Sequence, residues 1–208
     1  FRGHNHSDQR SLIYVTAATG RLQMFGREFI SRSNFPQVTV VGKEVGQETL
    51  SYKVNAIKEI VEASDYEEII LIGDNGQHDV GAYKAITDLY PSKKITSYIH
   101  EVYNPYDKDL KKKGVSLAAG QIAYFTASDL GLEFLSKGLI TEGQFIAIAK
   151  KVSQFLSSND SELYEQVIPS WSRCRQFISN YQRPSVEVSK ETTVILNTIE
   201  SRMKRLCR

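Results

Sequence analysis

Apolar residues along this chain come in short runs that alternate with longer amphipathic stretches. Leu12–Val15 is a four-residue run that stops at the small and hydroxylated residues Thr16–Gly20, which predicts a buried strand and a turn. Leu22, Phe25, Phe29 and Ile30 then recur at helical spacing and predict a helix over about 20–33 with one apolar face. Val38–Val41 predicts a second strand after Pro36, and Val54, Ile57, Ile60 and Val61 a second helix over 52–64. Ile69–Ile72 has no polar alternation, the mark of a strand buried on both faces. A helix over 79–89 follows through Val80, Tyr83, Ile86 and Leu89, and then an alternating strand over 95–102.

This order of strand, helix, strand, helix, strand predicts right-handed crossovers. The fold class expected is α/β, with a Rossmann-like, mainly parallel sheet flanked by helices and a C-terminal helical extension. Sites in such sheets form beyond the carboxyl ends of the strands. Two polar loops fall there: Thr16–Gly20 and Asp74–Asp79. The pattern changes after about residue 103. Residues 104–113 form a charged loop, and Ile122–Thr126 suggests one more strand. From Thr141 the chain reads as helical, with a capping box at Thr141 and Gln144 and an apolar stripe through Phe145, Ile148, Ala149, Val152 and Phe155. A helix over 161–181, kinked or split at Pro169, carries Leu163, Val167, Trp171, Cys174 and Phe177; another over 189–206 carries Ile195, Ile199 and Leu206. The division expected is a core over residues 1–135 and a helical extension over 136–208.

Composition narrows the class without naming a function. The 208 residues are 41% hydrophobic and 24% charged, ordinary for a globular chain. A net charge of +2 gives no field that argues for nucleic acid. No run of 18 apolar residues is present and no secretory segment opens the chain. Cys174 and Cys207 are far apart in helical sequence, so neither a disulfide framework nor a cysteine metal site is expected, and a reducing, cytoplasmic location fits. The start at Phe1 rather than Met reads as a processed or trimmed piece.

The sharpest chemical signal is Gly73-Asp74-Asn75-Gly76-Gln77-His78-Asp79. Two carboxylates on a tight loop at a strand end suit Mg²⁺, which takes one or two carboxylates together with water and phosphate oxygens. The plain alternative is turn chemistry, with Asp79 opening the next helix. Thr16, with Ala17 and the following small residues, forms a natural phosphate cradle of one hydroxyl and several backbone N–H groups, although such threonines are more often turn residues. Lys53, at a helix start, can pair with phosphate or carboxylate, and most lysines are simply solvated.

The order of these segments carries more than any one of them. A strand ending in Thr16, Lys53 opening a helix, and a strand ending in Gly73-Asp74 with Asp79 beyond resemble the second, third and fourth motifs of haloacid-dehalogenase-type phosphatases. The stretches from Tyr14 to Gly20, Leu50 to Lys53, Ile69 to Ile86 and Ser97 to Tyr103 resemble the catalytic domain of the actin-patch phosphatidate phosphatase family over about residues 12–103. The likeness is most specific at Gly73–Asp79 and Tyr83. It implies that Thr16, Ala17 and Lys53 bind the phosphoryl group, with Asn75 and Gln77 shaping the loop beside the substrate. It also implies that Asp74 ligates Mg²⁺, and that Asp79 is a ligand or stands behind one. Val80-Gly81-Ala82 and His100-Glu101 depart from the family's pattern, which touches the lipid head-group assignment more than the fold.

Such enzymes attack with an aspartate in a DxDxT segment at the end of the first strand, forming an aspartyl phosphate. No such segment precedes Thr16, and Asp8 has no apolar strand before it. His4 and His6 read as loop residues. Three explanations compete: a cleaved first strand that remains associated, an upstream segment outside these residues, or a pseudophosphatase. The expected function is a Mg²⁺-dependent phosphomonoesterase acting on phosphatidate or another lipid phosphate, provided that segment exists. The alternatives are a phosphatase of the same fold acting on a phosphoprotein, such as a phosphotyrosine protein, or on a small metabolite, and a catalytically dead binding scaffold. The basic C-terminal end, Ser201–Arg208, can dock on anionic lipid, though cations are also simply favoured at a helix terminus.

Overall fold

A computed structural model describes residues 11–32, 39–109, 113–158, 163, 165–169, 172 and 174–207. The N-terminal segment with His4, His6 and Asp8, and also Pro36, Val38, Lys111 and Trp171, lie outside the described residues.

Among the described residues five short strands, all paired in parallel, alternate with helices. The order is β1 (Ile13–Thr16), α1 (Gly20–Arg32), β2 (Thr39–Gly42), α2 (Thr49–Glu62), β3 (Glu68–Asp74), α3 (Asp79–Leu89), β4 (Lys94–His100) and β5 (Ile122–Tyr124). Four helices follow: α4 (Ala127–Ser136), α5 (Glu142–Ser157), α6 (Arg175–Asn180) and α7 (Lys190–Leu206). The parallel α/β architecture with C-terminal helices is the one the hydrophobic pattern implies.

The strands form two sheets, β1–β2 and β3–β4–β5. Within them Thr16 lies opposite Gly42 and Asp74 opposite His100, so the strand ends are level. Helices α2 and α3 cover one face. Ile57 and Val61 of α2 and Val80, Tyr83 and Ile86 of α3 pack with Leu71 and Ile99 of the sheet. Val15 of β1 touches the same cluster, so the two sheets share a core although no ladder bond joins them.

The second core belongs to the helices. Phe125, Leu132, Phe145, Ala149, Val152, Leu196, Ile199 and Met203 are buried together. The capping box at Thr141 and Gln144 is present. A second, at Thr126 and Asp129, opens α4, a helix the periodicity did not suggest. Glu142 binds the two helix starts together, accepting from the Ser189 N–H at 2.8 Å and the Thr192 hydroxyl at 2.5 Å. Residues 166–169 are not helical, as Pro169 implies, and a helix starts at Arg175. On α7 the buried face runs through Thr192, Leu196, Ile199 and Met203, while Leu206 is exposed. The apolar side of that basic helix is thus occupied by packing, and Lys204 is paired with Glu200.

Two expectations are corrected. Cys174 and Cys207 are joined as a disulfide with Cα atoms 5.0 Å apart, so the cysteines give no support to a reducing compartment. Their pairing depends on α6 and α7 lying side by side, which no sequence spacing reveals. The apolar face of α1 is not buried: Leu22, Phe25 and Phe29 are 68%, 59% and 61% exposed.

The disulfide closes a loop with a sequence separation of 33, which by loop entropy is worth about 3–4 kcal/mol. Dithiothreitol should therefore lower the urea midpoint of the wild type. A Cys174→Ser/Cys207→Ser variant should start from the lower midpoint and show no response to the reductant.

Candidate active site

The loop after β3 is built around glycines that make room rather than supply unusual dihedrals. A Cβ on Gly73 would lie 2.5 Å from Asp79 Oδ2, and one on Gly76 would lie 2.6 Å from the Tyr103 ring. Both positions lack space for any side chain. Asp74 bends the loop on itself, its Oδ1 accepting the Gly76 N–H at 2.7 Å. Its second carboxylate oxygen has no protein partner among the described residues.

Asp79 opens α3, where a carboxylate is favoured by the helix dipole. Its Oδ1 takes the Lys53 ammonium, and its Oδ2 accepts the Asp74 N–H at 3.2 Å. Lys53 stands one turn into α2, and both members of the ion pair have side chains only 14% exposed. Helix α2, helix α3 and the end of β3 therefore meet at one carboxylate. Lys53, Asp74 and Asp79 are brought together as the motif order implies. Each Asp79 oxygen accepts one protein hydrogen bond, so the carboxylate braces both Lys53 and the Asp74 backbone.

Thr16 ends β1 at the same edge. Its Oγ1 accepts the Ala18 N–H at 3.1 Å, and its carbonyl accepts the Lys43 N–H at 3.3 Å. That turn leaves the hydroxyl proton available to donate. Gly20, at φ +54°, then turns the chain into α1. No direct contact joins Thr16 to the Lys53–Asp79 pair; the link is α2, which carries Lys53 and packs beside β1 in the same core as Val15.

Asn75 takes another part. It is fully buried, its Nδ2 donating to the Tyr103 carbonyl at 2.7 Å and its Oδ1 accepting the Tyr103 N–H at 2.9 Å. It ties the loop to the chain beyond β4 through the Tyr103 backbone. Gln77 is exposed. Tyr83 is a strut: its hydroxyl donates to the Ile72 carbonyl at 2.8 Å from within the core, and burial, with Asp79 second, pushes its pKa up.

Two residues beside the acids carried no motif signal. His100 lies opposite Asp74 in the register, stacks on Tyr124 at 4.9 Å, and hydrogen-bonds the Phe125 carbonyl through Nε2 at 2.7 Å. A carbonyl only accepts, so Nε2 carries the proton. Burial lowers the His100 pKa, against the raising effects of that bond and of Asp74. Tyr124 is raised to about 12 by burial first, then by Asp74 and Asp79. That electrostatic reach places the β5 ring near the acidic pair.

The donor set can be tested against a divalent cation. One open oxygen on Asp74, at a strand end beside a bound carboxylate, fits an ion that takes most of its ligands from water and substrate. Among the described residues no group of three or more His, Cys, Asp or Glu could cage a metal by itself.

Fold and site together give a parallel α/β protein with a threonine turn at the end of β1 and, at the end of β3, an aspartate backed by a lysine–aspartate pair. Residues 1–101 match the family model described as phosphatidate phosphatase APP1, catalytic domain. The matched stretch holds Thr16, Lys53, Asp74 and Asp79, and the resemblance read from the motifs holds over that half of the chain. No curated protein matches the chain. No solved structure does either. Among the described residues no helix is long and apolar enough to cross a membrane.

Gly73→Ala should force the Asp79 carboxylate aside and loosen its hold on Lys53. A loss of about 1–3 kcal/mol is expected, read from the urea unfolding midpoint. His100 gives a pH signature. Its folded pKa lies below the unfolded value of about 6.5, so the unfolded chain takes the proton first. Its contribution to stability is therefore complete above about pH 6.5 and falls as pH drops through that value. Comparing unfolding midpoints of wild type and His100→Asn between pH 7.5 and 5 should show a smaller decline in the variant.

Proposed function

We propose that this chain provides the phosphate- and cation-handling part of a Mg²⁺-dependent phosphatidate phosphatase of haloacid-dehalogenase type, working through an aspartyl phosphate. The observation that carries the reading is that Lys53 and Asp79, 26 residues apart, pair directly beneath an Asp74 whose carboxylate keeps one oxygen open. The match of residues 1–101 to the phosphatidate phosphatase family supports the choice of reaction and of a lipid phosphate as substrate.

In this reading the Thr16 hydroxyl and the N–H groups following it donate to the phosphoryl oxygens. The Lys53 ammonium, fixed by Asp79, supplies positive charge to the same oxygens as negative charge redistributes in the transition state. Asp74 would hold Mg²⁺ through its open oxygen, with Asp79 keeping the loop in place. The cation, when bound, neutralises phosphate charge and aligns the phosphorus for attack.

In this reading the nucleophile would be the aspartate carboxylate of a DxDxT segment, which residues 1–208 do not contain. Attack forms a carboxylate O–P bond and breaks the P–O bond to the lipid alcohol, which leaves protonated by the second acid of that segment. Water then cleaves the acyl phosphate, releasing phosphate and restoring the carboxylate. Among the described residues β1 and β3 each pair on one side only, which supports a strand entering there.

The test is phosphate release from phosphatidate in mixed micelles by the product of the complete reading frame. Release should require Mg²⁺ and stop with EDTA. Asp74→Asn should lower kcat by about 100-fold or more at unchanged fold. Undiminished turnover in that variant would remove Asp74 from the chemistry, and a complete product without turnover would favour a binding scaffold.

A further inference from the structure

Helix α1 is laid on the sheet the wrong way round for an ordinary surface helix. Gln23 lies over Gly42, the last residue of β2, where a Cβ would meet its amide nitrogen at 1.6 Å. Arg27, four residues and so one turn further on, donates to the Val40 carbonyl at 3.1 Å. The polar stripe of the helix thus faces the strand. Leu22, Phe25 and Phe29 form a different stripe, spaced three and four residues apart, and all are well exposed; Met24 beside them is 65% exposed. No residue of α1 is buried.

The surroundings of this stripe identify what it suits. Helix α1 carries Arg21, Arg27 and Arg32 against the single acid Glu28, and Glu28 pairs with Arg32 at 2.6 Å. The helix begins at Gly20, directly after the Thr16 turn, so Leu22 and Phe25 occupy the turns nearest the phosphate cradle. The next loop along the same carboxyl edge, between β2 and α2, projects Val45, 85% exposed. Its acids are Glu44 and Glu48, and Glu48 is held as the cap of α2 by the Leu50 and Ser51 N–H groups. Exposed aromatic and aliphatic residues bordered by arginine, beside an anion cradle, match the chemistry of an anionic lipid surface.

We infer that the exposed stripe of α1, with Val45, docks the protein on an anionic bilayer, so that a lipid phosphate is presented to Thr16 and Lys53. The inference rests on the lipid-phosphatase reading but concerns the route of substrate rather than the reaction. Lipid insertion takes the apolar side chains out of water, and Arg21, the arginine of α1 engaged neither with β2 nor with Glu28, meets the headgroup charge. The basic helix α7 does not serve this purpose, because its apolar face is buried against the other helices.

The test is sedimentation with vesicles of phosphatidate in phosphatidylcholine, in EDTA so that no turnover intervenes. Wild type should partition onto these vesicles, and less onto phosphatidylcholine alone. Leu22→Glu/Phe25→Glu should lower partitioning about ten-fold or more, while Val194→Glu on the exposed side of α7 should leave it unchanged. Hydrogen exchange on the wild type provides a second measure that needs no variant: amides of residues 20–32 should slow on adding phosphatidate vesicles. Equal partitioning of the double variant, no binding by wild type, or unchanged exchange would overturn the inference. So would a wild-type dimer that the double substitution dissociates in light scattering, since the stripe would then be a contact between copies. Vesicle binding without phosphate release would leave the docking in place and remove the proposed reaction. Hydrolysis of a soluble phosphate ester without vesicle binding would do the reverse.

Discussion

The Asp79 carboxylate is where the sheet and its helices are locked into one geometry. One oxygen holds the Lys53 ammonium from α2 and the other holds the Asp74 N–H at the end of β3, while the residue itself begins α3. A half-buried ammonium or carboxylate alone would be costly, and each compensates the other here. Gly73 is forced by the same contact, because its missing side chain is what lets the carboxylate approach. Asp74 inherits its place from this clamp, since its amide is fixed by Asp79 and its carboxylate is turned back by the Gly76 N–H.

From that point the order extends toward the helical layer through groups that leave no simple trace in sequence. Asn75 joins the loop to Tyr103 by two reciprocal bonds, both to backbone atoms. His100 reaches across β5 to the Phe125 carbonyl, and Phe125 is part of the core that α5 and α7 complete. The disulfide between Cys174 and Cys207 closes the far side of that core. The acidic loop is therefore backed by a continuous packed path, although the functional motifs lie in the first half of the chain.

The legible parts of the sequence were those whose signal is local. Ile69–Ile72 reads as a parallel strand because nothing in it alternates, and it is one, but burial on both faces does not hold: only Leu71 of the four is buried and Ile72 is exposed, since one face alone is covered by α2 and α3. The helix after it reads from Val80, Tyr83 and Ile86, all buried, while Leu89 at its end is exposed. The Thr141 capping box is a four-residue pattern with a four-residue cause. The Thr126–Asp129 box at the start of α4 was equally available but followed a strand-like run, Ile122–Phe125, that masked it. The residues that meet at Asp79, namely Lys53 and Asp74, were read from motif order. Their division of labour was not, because whether Asp79 is a ligand or a clamp depends on both of its oxygens, and whether Asn75 faces solvent or backbone depends on where Tyr103 returns. The Cys174–Cys207 pair and the outward face of α1 are tertiary facts: helical periodicity predicts that a stripe exists but not which stripe meets the sheet.

The charges at the edge explain why a cation belongs to the proposed chemistry. Lys53 and Asp79 neutralise each other, so the group of three carries the uncompensated negative charge of Asp74. A phosphate monoester brings up to two more negative charges to the same place, and at contact distances in a partly desolvated site their repulsion is severe. The neutral donors of the Thr16 turn do not offset it. A divalent cation held by Asp74 would supply the opposite charge, so that in the proposed reaction carboxylate and ester would both favour its binding. The clamp has a second consequence: by pairing Asp79 with Lys53 it offsets one negative charge at the edge, so that Asp74 is the acid of the three left to face a cation.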